Sequence, residues 1–248
     1  MTDYDPDAHV VGVDVSVSHA YLSRVYRDGR TPDVHMIKFP ALDEARDSNM
    51  TRAVEIADRN AMLVVAAILG TDDFPATVFP SMVCFSKLFV MDQKSDPTGT
   101  RRAALWWNVS RMVHALRFDD DGENVLPDAL ELAEVPPMTA QQLLAGRAVP
   151  GRSGFTDSDR AVRVLYPDIE DVKGFRYYTV GQAMCGAVAL GWSVPATVTN
   201  KALSSMRGIS ASFPMEIPRY SSEWEELNAP HCAAFSYKRS AQPTPKGA

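Results

Sequence analysis

Cysteine is scarce in this chain: three in 248 residues, at Cys84, Cys185 and Cys232. An odd number without a metal-ligand spacing excludes a disulfide framework and suits a reducing cytoplasm. His231 and Cys232 are adjacent rather than spaced for a metal ion. Long apolar runs are missing too. The longest, around Ala61–Leu69, is helix-sized and well short of the ~18 residues that a membrane span needs. No membrane association is expected. The opening MTDYDPDAH is acidic and has neither the basic nor the apolar region of a signal peptide, so a cytoplasmic location is expected. An excess of positive charge is also absent, with 25 Lys+Arg against 31 Asp+Glu and a net charge of −6. That balance excludes a generally basic nucleic-acid coat. Any nucleic-acid site must be a local patch working against the global field. No internal repeat is visible.

What is present is a core. Hydrophobic residues make up 46% of the chain, the globular average, and the length suits one large domain with an arm. Arginine greatly outnumbers lysine in an Ala- and Val-rich sequence, which points to a GC-rich genome of actinobacterial or phage type.

Val10–Val17 (VVGVDVSV) is a β-branched run that predicts a strand. Tyr21–Arg27, the turn signal Asp28-Gly29 and Val34–Phe39 follow. Three strands on short turns predict an antiparallel meander. The period then changes. Val54, Ala57, Ala61, Val64, Val65 and Ile68 repeat at helical spacing. Ala76–Phe85 returns to strand character with Pro80 inside it, so that strand must end, bulge or lie on an edge there. Ser86–Gly99 reads as an exposed loop. Thr100–Arg117 predicts an amphipathic helix with Leu105, Val109, Met112, Val113 and Leu116 as its apolar stripe. A strand near Leu130–Val135 and a short helix at Thr139–Ala145 come next. After a loop at Arg147–Gly154, Asp157–Leu165 predicts a helix capped by Thr156. Tyr177–Trp192 predicts a helix rich in small residues, with Gly181, Ala183, Cys185, Gly186 and Ala189 set to press against a sheet. From Arg207 onward, Phe213, Tyr220, Trp224, Phe235 and Tyr237 stand among prolines, in an arm that drapes on the domain or on a partner. The division is thus 1–9 as an extension, 10–206 as the domain and 207–248 as the arm.

This order of elements resembles the RNase H-like superfamily, an α/β mixed sheet in which an antiparallel meander joins parallel strands flanked by helices. Particular segments resemble RuvC-type Holliday-junction resolvases. VVGVDVS is similar to their first strand, which leads to a metal-binding Asp, here Asp14. PATVFPSMVCF with GTRRAALWWNVSRMVHAL is similar to their fourth strand and the helix behind it. GRAVPGRSGFTDSDRAVRVLYP is similar to the Gly-bearing loop and helix before the last motif, and VGQAMCGAVALGW to the closing helix. Actins and sugar kinases begin in the same way, but their Gly-rich phosphate loop has no counterpart in DVSVSHA.

The resemblance implies divalent metal held by several carboxylates, and here the chain departs. Where the family carries a Glu at the end of the fourth strand, the reading offers Pro80 and Ser81. Where it carries two acids on the last helix, the chain has Thr179 and Gln182. The basic residue near the preceding helix is missing from TDSDR. Asp14 is left nearly alone, and one carboxylate is a poor two-metal site. It is either a relic of the family or a cap of the turn with Ser16 and Ser18, or it is completed by Asp92 or Asp96, or by Asp157 and Asp159, brought in from elsewhere. The reading is therefore a degenerate RuvC-like protein that binds nucleic acid or joins an assembly, with no cofactor. The alternative is a Mg²⁺-dependent junction endonuclease with a rearranged acidic site.

One surface suits binding. Lys87, Lys94, Arg101, Arg102 and Arg111 form a local basic excess. Trp107, Arg111 and His114 lie opposite the apolar stripe, since each helical residue advances 100°. Cations contact phosphates and rings stack on bases. Trp and Arg are equally the favoured anchors of protein interfaces, so a protein partner or a homodimer is the other expectation.

Overall fold

A computed structural model describes residues 5–40, 50–87, 99–116, 130–213, 215 and 217–226. Its strands are β1 (His9–Val15), β2 (His19–Tyr26), β3 (Asp33–Lys38), β4 (Met82–Ser86), β5 (Glu131–Val135) and β6 (Ser210–Ala211). Its helices are α1 (Met50–Leu69), α2 (Gly99–Ala115), α3 (Pro137–Ala145), α4 (Arg152–Leu165), α5 (Tyr178–Ala189) and α6 (Asn200–Met206). The six strands form one sheet in the order β3-β2-β1-β4-β5-β6. β1, β2 and β3 pair antiparallel, β1-β4 and β4-β5 pair parallel, and β6 returns antiparallel to β5. This is the RNase H-like mixed sheet that the order of elements implied.

The period of two along each strand sorts side chains between two cores. Val10, Tyr21, Val25, Met82 and Cys84 face the layer that holds α3, α4, α5 and α6. Val11, Val13, Val15, Ala20, Leu22, Val83 and Phe85 face α1 and α2. Covered on both faces, β1 is buried throughout, which is why it reads as a continuous β-branched run. Close approach to α5 needs glycine. A Cβ on Gly12 would lie 2.1 Å from the Thr179 carbonyl oxygen, so the β1 backbone and α5 touch directly. The small residues of α5 divide their work: Gly186 meets Cys84, Val10 and Met82 of the sheet, whereas Gly181 meets Leu144 and Ala140 of α3.

Several boundaries differ from the sequence reading. β4 begins at Met82, not near Ala76, and runs on to Ser86. Pro80 lies before it and costs the ladder nothing; the first donor to β1 is Ser81 N–H, 2.9 Å from the His9 carbonyl. α4 begins at Arg152, and Thr156 lies inside it with its hydroxyl donating to the Arg152 carbonyl at 3.1 Å rather than capping. The arm contributes to the domain before its sequence pattern suggests it. β6 extends the sheet, and Trp224 is buried in the α3–α6 core. No helix among the described residues is long and apolar enough to cross a membrane.

His9 sits inside β1 with its ring donating from Nδ1 to the Asp7 carbonyl at 3.0 Å. Burial pushes its pKa down from 6.5 to about 4; Arg24 and Arg30 act the same way, against the Asp7 hydrogen bond and Asp33. The folded protein therefore keeps His9 neutral where the unfolded chain is protonated. The His9 contribution to stability is expected to be constant above about pH 6.5 and to fall as pH drops towards 4, by about 3 kcal/mol over that window. Urea unfolding of wild type and His9→Leu at pH 7 and pH 4 isolates the effect. Equal losses in the two proteins would show that His9 is not its source.

Candidate functional site

Asp14 shares the parity of Val10 and Gly12, so it faces the α5 layer at the C-terminal end of β1. The β1–β4 register places Val13 opposite Phe85, which brings Ser86 beside Asp14 on the same face. Ser86, not Pro80 or Ser81, thus occupies the end of the fourth strand. Reading the strand as ending at the proline displaced that position.

The turn before α5 delivers the next group. Gly174 adopts φ +80, and the rings of Phe175 and Tyr177, 4.9 Å apart, are both buried. The Tyr177 hydroxyl donates to the Glu170 carbonyl at 2.6 Å and accepts from Val172 N–H at 3.0 Å. Held between these anchors, Arg176 extends over the Tyr21 ring at 4.9 Å and donates from Nη1 to Asp14 Oδ2 at 2.7 Å. Burial opposes the guanidinium charge, but Asp14 with Tyr178 and Tyr21 outweighs it and the pKa rises. Asp14 is therefore no turn cap. The β1–β2 turn is closed by Ser16, whose Oγ accepts from His19 N–H at 3.0 Å.

α5 presents Tyr178, Thr179 and Gln182 where the resemblance implied acids. Gln182 donates from Nε2 to Ser86 Oγ at 2.6 Å, and the Tyr178 hydroxyl lies 3.4 Å from that same oxygen. Burial, with Asp14 nearby, raises the Tyr178 pKa well above 10, so its phenol stays protonated. Thr179 turns instead to β2, with its Oγ1 2.6 Å from Ser23 Oγ. From α2, Trp106 donates through its indole N–H to the Ser86 carbonyl at 2.9 Å.

These groups line a cleft of about 160 Å³, walled by Asp14, Ser86, Lys87, Arg102, Trp106, Arg176 and Tyr178 together with Val15 and Pro137. Among the described residues Asp14 is the one acid on its wall, beside Lys87, Arg102 and Arg176. Among the described residues, no three His, Cys, Asp or Glu side chains cluster in a way that could hold a metal. Magnesium demands hard, negatively charged oxygen ligands, and a two-metal site demands several of them. The Gln182 Oε1 atom is buried without a hydrogen-bond partner, but it supplies one neutral oxygen. A pair of divalent cations does not fit this donor set. The cleft is rich in donors instead, which is the chemistry of an oxyanion site.

This chain is similar to two solved structures of Thermus thermophilus RuvC. One, at 13% identity and a TM-score of 0.46, covers 74% of this chain and 97% of that one. The other, RuvC in complex with Holliday junction substrate, has 14% identity and a TM-score of 0.43, and covers 71% of this chain and 91% of that one. No protein-family model and no curated protein matches the sequence. The chemistry of the cleft is carried by this chain's own side chains.

The basic residues singled out in the sequence separate into two places. Lys87 and Arg102 join Asp14 in the cleft. Arg101 and Arg111 line a different cavity, of about 510 Å³, between α1 and α2 beside Asp58. Trp107 projects from α2 with 64% of its surface exposed, and His114 lies exposed near the end of that helix. Lys94, Asp92 and Asp96 lie outside the described residues. Asp157 and Asp159 do not reach Asp14; they pair with Arg147 at 2.8 Å and Arg163 at 3.1 Å. Sequence reading missed Arg176, Trp106, Tyr178 and Ser86. Trp106 had a usable signal, since it lies four residues after Arg102 and shares its side of the helix.

Proposed function

We propose that this chain is a catalytically degenerate RuvC-like protein, a nucleic-acid-binding or assembly subunit that does not cut, working in the cytoplasm without a metal cofactor. One observation carries the reading. The carboxylate at the end of β1 is engaged by Arg176, and no second acid lines its cleft among the described residues. A guanidinium stands where charge balance would need an anion to attract Mg²⁺. The exposed side chains of Trp107 on α2 and of Met62 and Leu63 on α1 suit the assembly role, as anchors for a protein partner or a second copy.

Incubation with branched or single-stranded DNA in Mg²⁺ or Mn²⁺ is expected to give no product above the protein-free control. Cleavage that requires metal and is abolished by Asp14→Asn would overturn the reading and favour the Mg²⁺-dependent endonuclease.

A further inference from the structure

The cavity between α1 and α2 shares no residue with the Asp14 cleft. Its volume of about 510 Å³ falls within the ~300–1,000 Å³ of small-molecule sites. The helical period explains the space. Ala53, Ala57 and Asn60 share one face of α1, and Arg101, Ala104 and Asn108 share one face of α2. Alanines on both faces leave a gap where larger side chains would fill it. Val17, Val54, Ile56 and Leu105 add to a mainly apolar wall.

The polar groups are few and unevenly placed. Thr100 and Arg101 stand exposed in the first turn of α2, which is the positive end of the helix dipole. Asn60 is at the other extreme, only 5% exposed. Its Oδ1 accepts from Arg59 at 3.3 Å, and among the described residues its Nδ2 has no acceptor. Asp58 is held by Asn108, whose Nδ2 donates to Asp58 Oδ1 at 2.9 Å. Arg111 follows Asn108 by one turn, whereas Arg101 precedes it by about 10 Å of helix. The Asp58 carboxylate therefore offsets Arg111 more than Arg101. Neither guanidinium makes an ion pair among the described residues. Two guanidiniums and one carboxylate are the described charges of the lining, a balance that calls for a monoanion.

We propose that this cavity binds a medium-chain aliphatic monocarboxylate that carries an oxygen at its far end. Arg101 and Thr100 hold the carboxylate on the solvent side, where the guanidinium fork matches it and the head keeps part of its hydration. The alkyl chain runs inward along Ala104, Leu105, Ala57 and Ile56. Its far oxygen accepts from Asn60 Nδ2, a buried donor that is otherwise left without a partner. The ligand ties α1 to α2 and stabilises the fold by mass action. The proposal goes beyond the non-cutting reading and does not depend on it, since the two concern separate sites.

The test is isothermal titration calorimetry of the full chain with hexanoate, octanoate and decanoate, each below its micellar concentration. Affinity should rise about fourfold with each added methylene. The ω-hydroxy derivative of decanoate should bind about 2- to 10-fold tighter than decanoate, and Asn60→Leu should reverse that order. Arg101→Gln should weaken decanoate roughly 10- to 100-fold and leave decanol unchanged. Arg111→Gln should weaken it less. Ala104→Phe, which fills the space, should abolish binding of acid and alcohol alike, with a melting temperature no lower than wild type showing that the variant folds. Five results would overturn the proposal: no saturable binding of decanoate; decanol as tight as decanoate; binding that survives Ala104→Phe; an ω-hydroxy acid no tighter than decanoate; or displacement by a short single-stranded DNA oligonucleotide, which makes this face a nucleic-acid contact.

Discussion

Gly12→Ala is expected to lose more than about 4 kcal/mol, a large share of the roughly 5–15 kcal/mol by which a folded domain is stable. The added methyl would meet the Thr179 carbonyl oxygen at 2.1 Å, the Thr179 carbonyl carbon at 3.0 Å and Ala183 N at 3.1 Å. All three are backbone atoms of α5, so no rotamer change relieves the contact. The helix must lift from the central strand, and Val180, Ala183, Met184 and Cys185 lose their packing with it. Gly186→Ala provides the comparison. Its methyl meets only side-chain atoms, Cys84 Sγ at 2.5 Å, Val10 Cγ1 at 2.8 Å and Met82 Sδ at 2.9 Å. Side chains can shift, and overpacking of that kind costs roughly 1–3 kcal/mol. Urea unfolding of the two variants should rank them in this order. A Gly12→Ala protein as stable as wild type would mean that α5 does not sit on β1 at this distance.

Arg24→Met is expected to cost about 3–5 kcal/mol. Arg24 is fully buried on β2 under the end of α1. Its Nη2 donates to the Ala67 carbonyl at 2.8 Å and the Phe74 carbonyl at 3.2 Å, its Nη1 donates to the Pro75 carbonyl, and its guanidinium lies 3.7 Å over the Phe74 ring. Two effects of opposite sign compete. Removing a buried cation relieves a desolvation cost, which by itself favours the methionine. Against that, the buried Ala67 carbonyl loses its donor at about 1–3 kcal/mol, the part-buried Pro75 carbonyl loses one too, and the Phe74 carbonyl is left with the Thr71 N–H alone; Ala67 is among the last four residues of α1, whose carbonyls lack helical partners. The second effect is larger. Arg24→Lys should recover part of the loss, since an ammonium reaches fewer of these oxygens from one point. A methionine variant equal to wild type in urea would show that the charge, not the missing donors, dominates.

The scaffold was more legible than the site, and the reason is range. The β-branched run through Val10 and Val13, the alternation that turns Asp14 to the α5 side, and the small residues of α5 are all local patterns. So is the stripe of Leu105, Val109 and Val113, which is buried as the helical spacing requires. Arg176 could not be read in this way. Its role depends on a contact with Asp14 across 162 positions, and nothing in the stretch KGFRYY distinguishes a cleft cation from a solvated one. Ser86 was hidden by Pro80, which drew the end of β4 forward. α6 and β6 were hidden by their brevity, the strand being only two residues long. Whether Asp14 is a ligand or the partner of an ion pair was a question of what faces it, and that is a property of the folded chain.

The same separation sets a clock during synthesis. At about 5–20 residues per second, Asp14 is added to the chain roughly 8–30 s before Arg176. The β1–β2–β3 meander needs only microseconds to milliseconds once its residues are clear. For much of that interval the nascent chain carries the Asp14 carboxylate without its guanidinium, and for the earlier part of it, until β4 follows, the β1 edge is open as well. The guanidinium that closes the cleft arrives with α5, so the early half of the domain waits on the late half before either the central strand or its anion is covered.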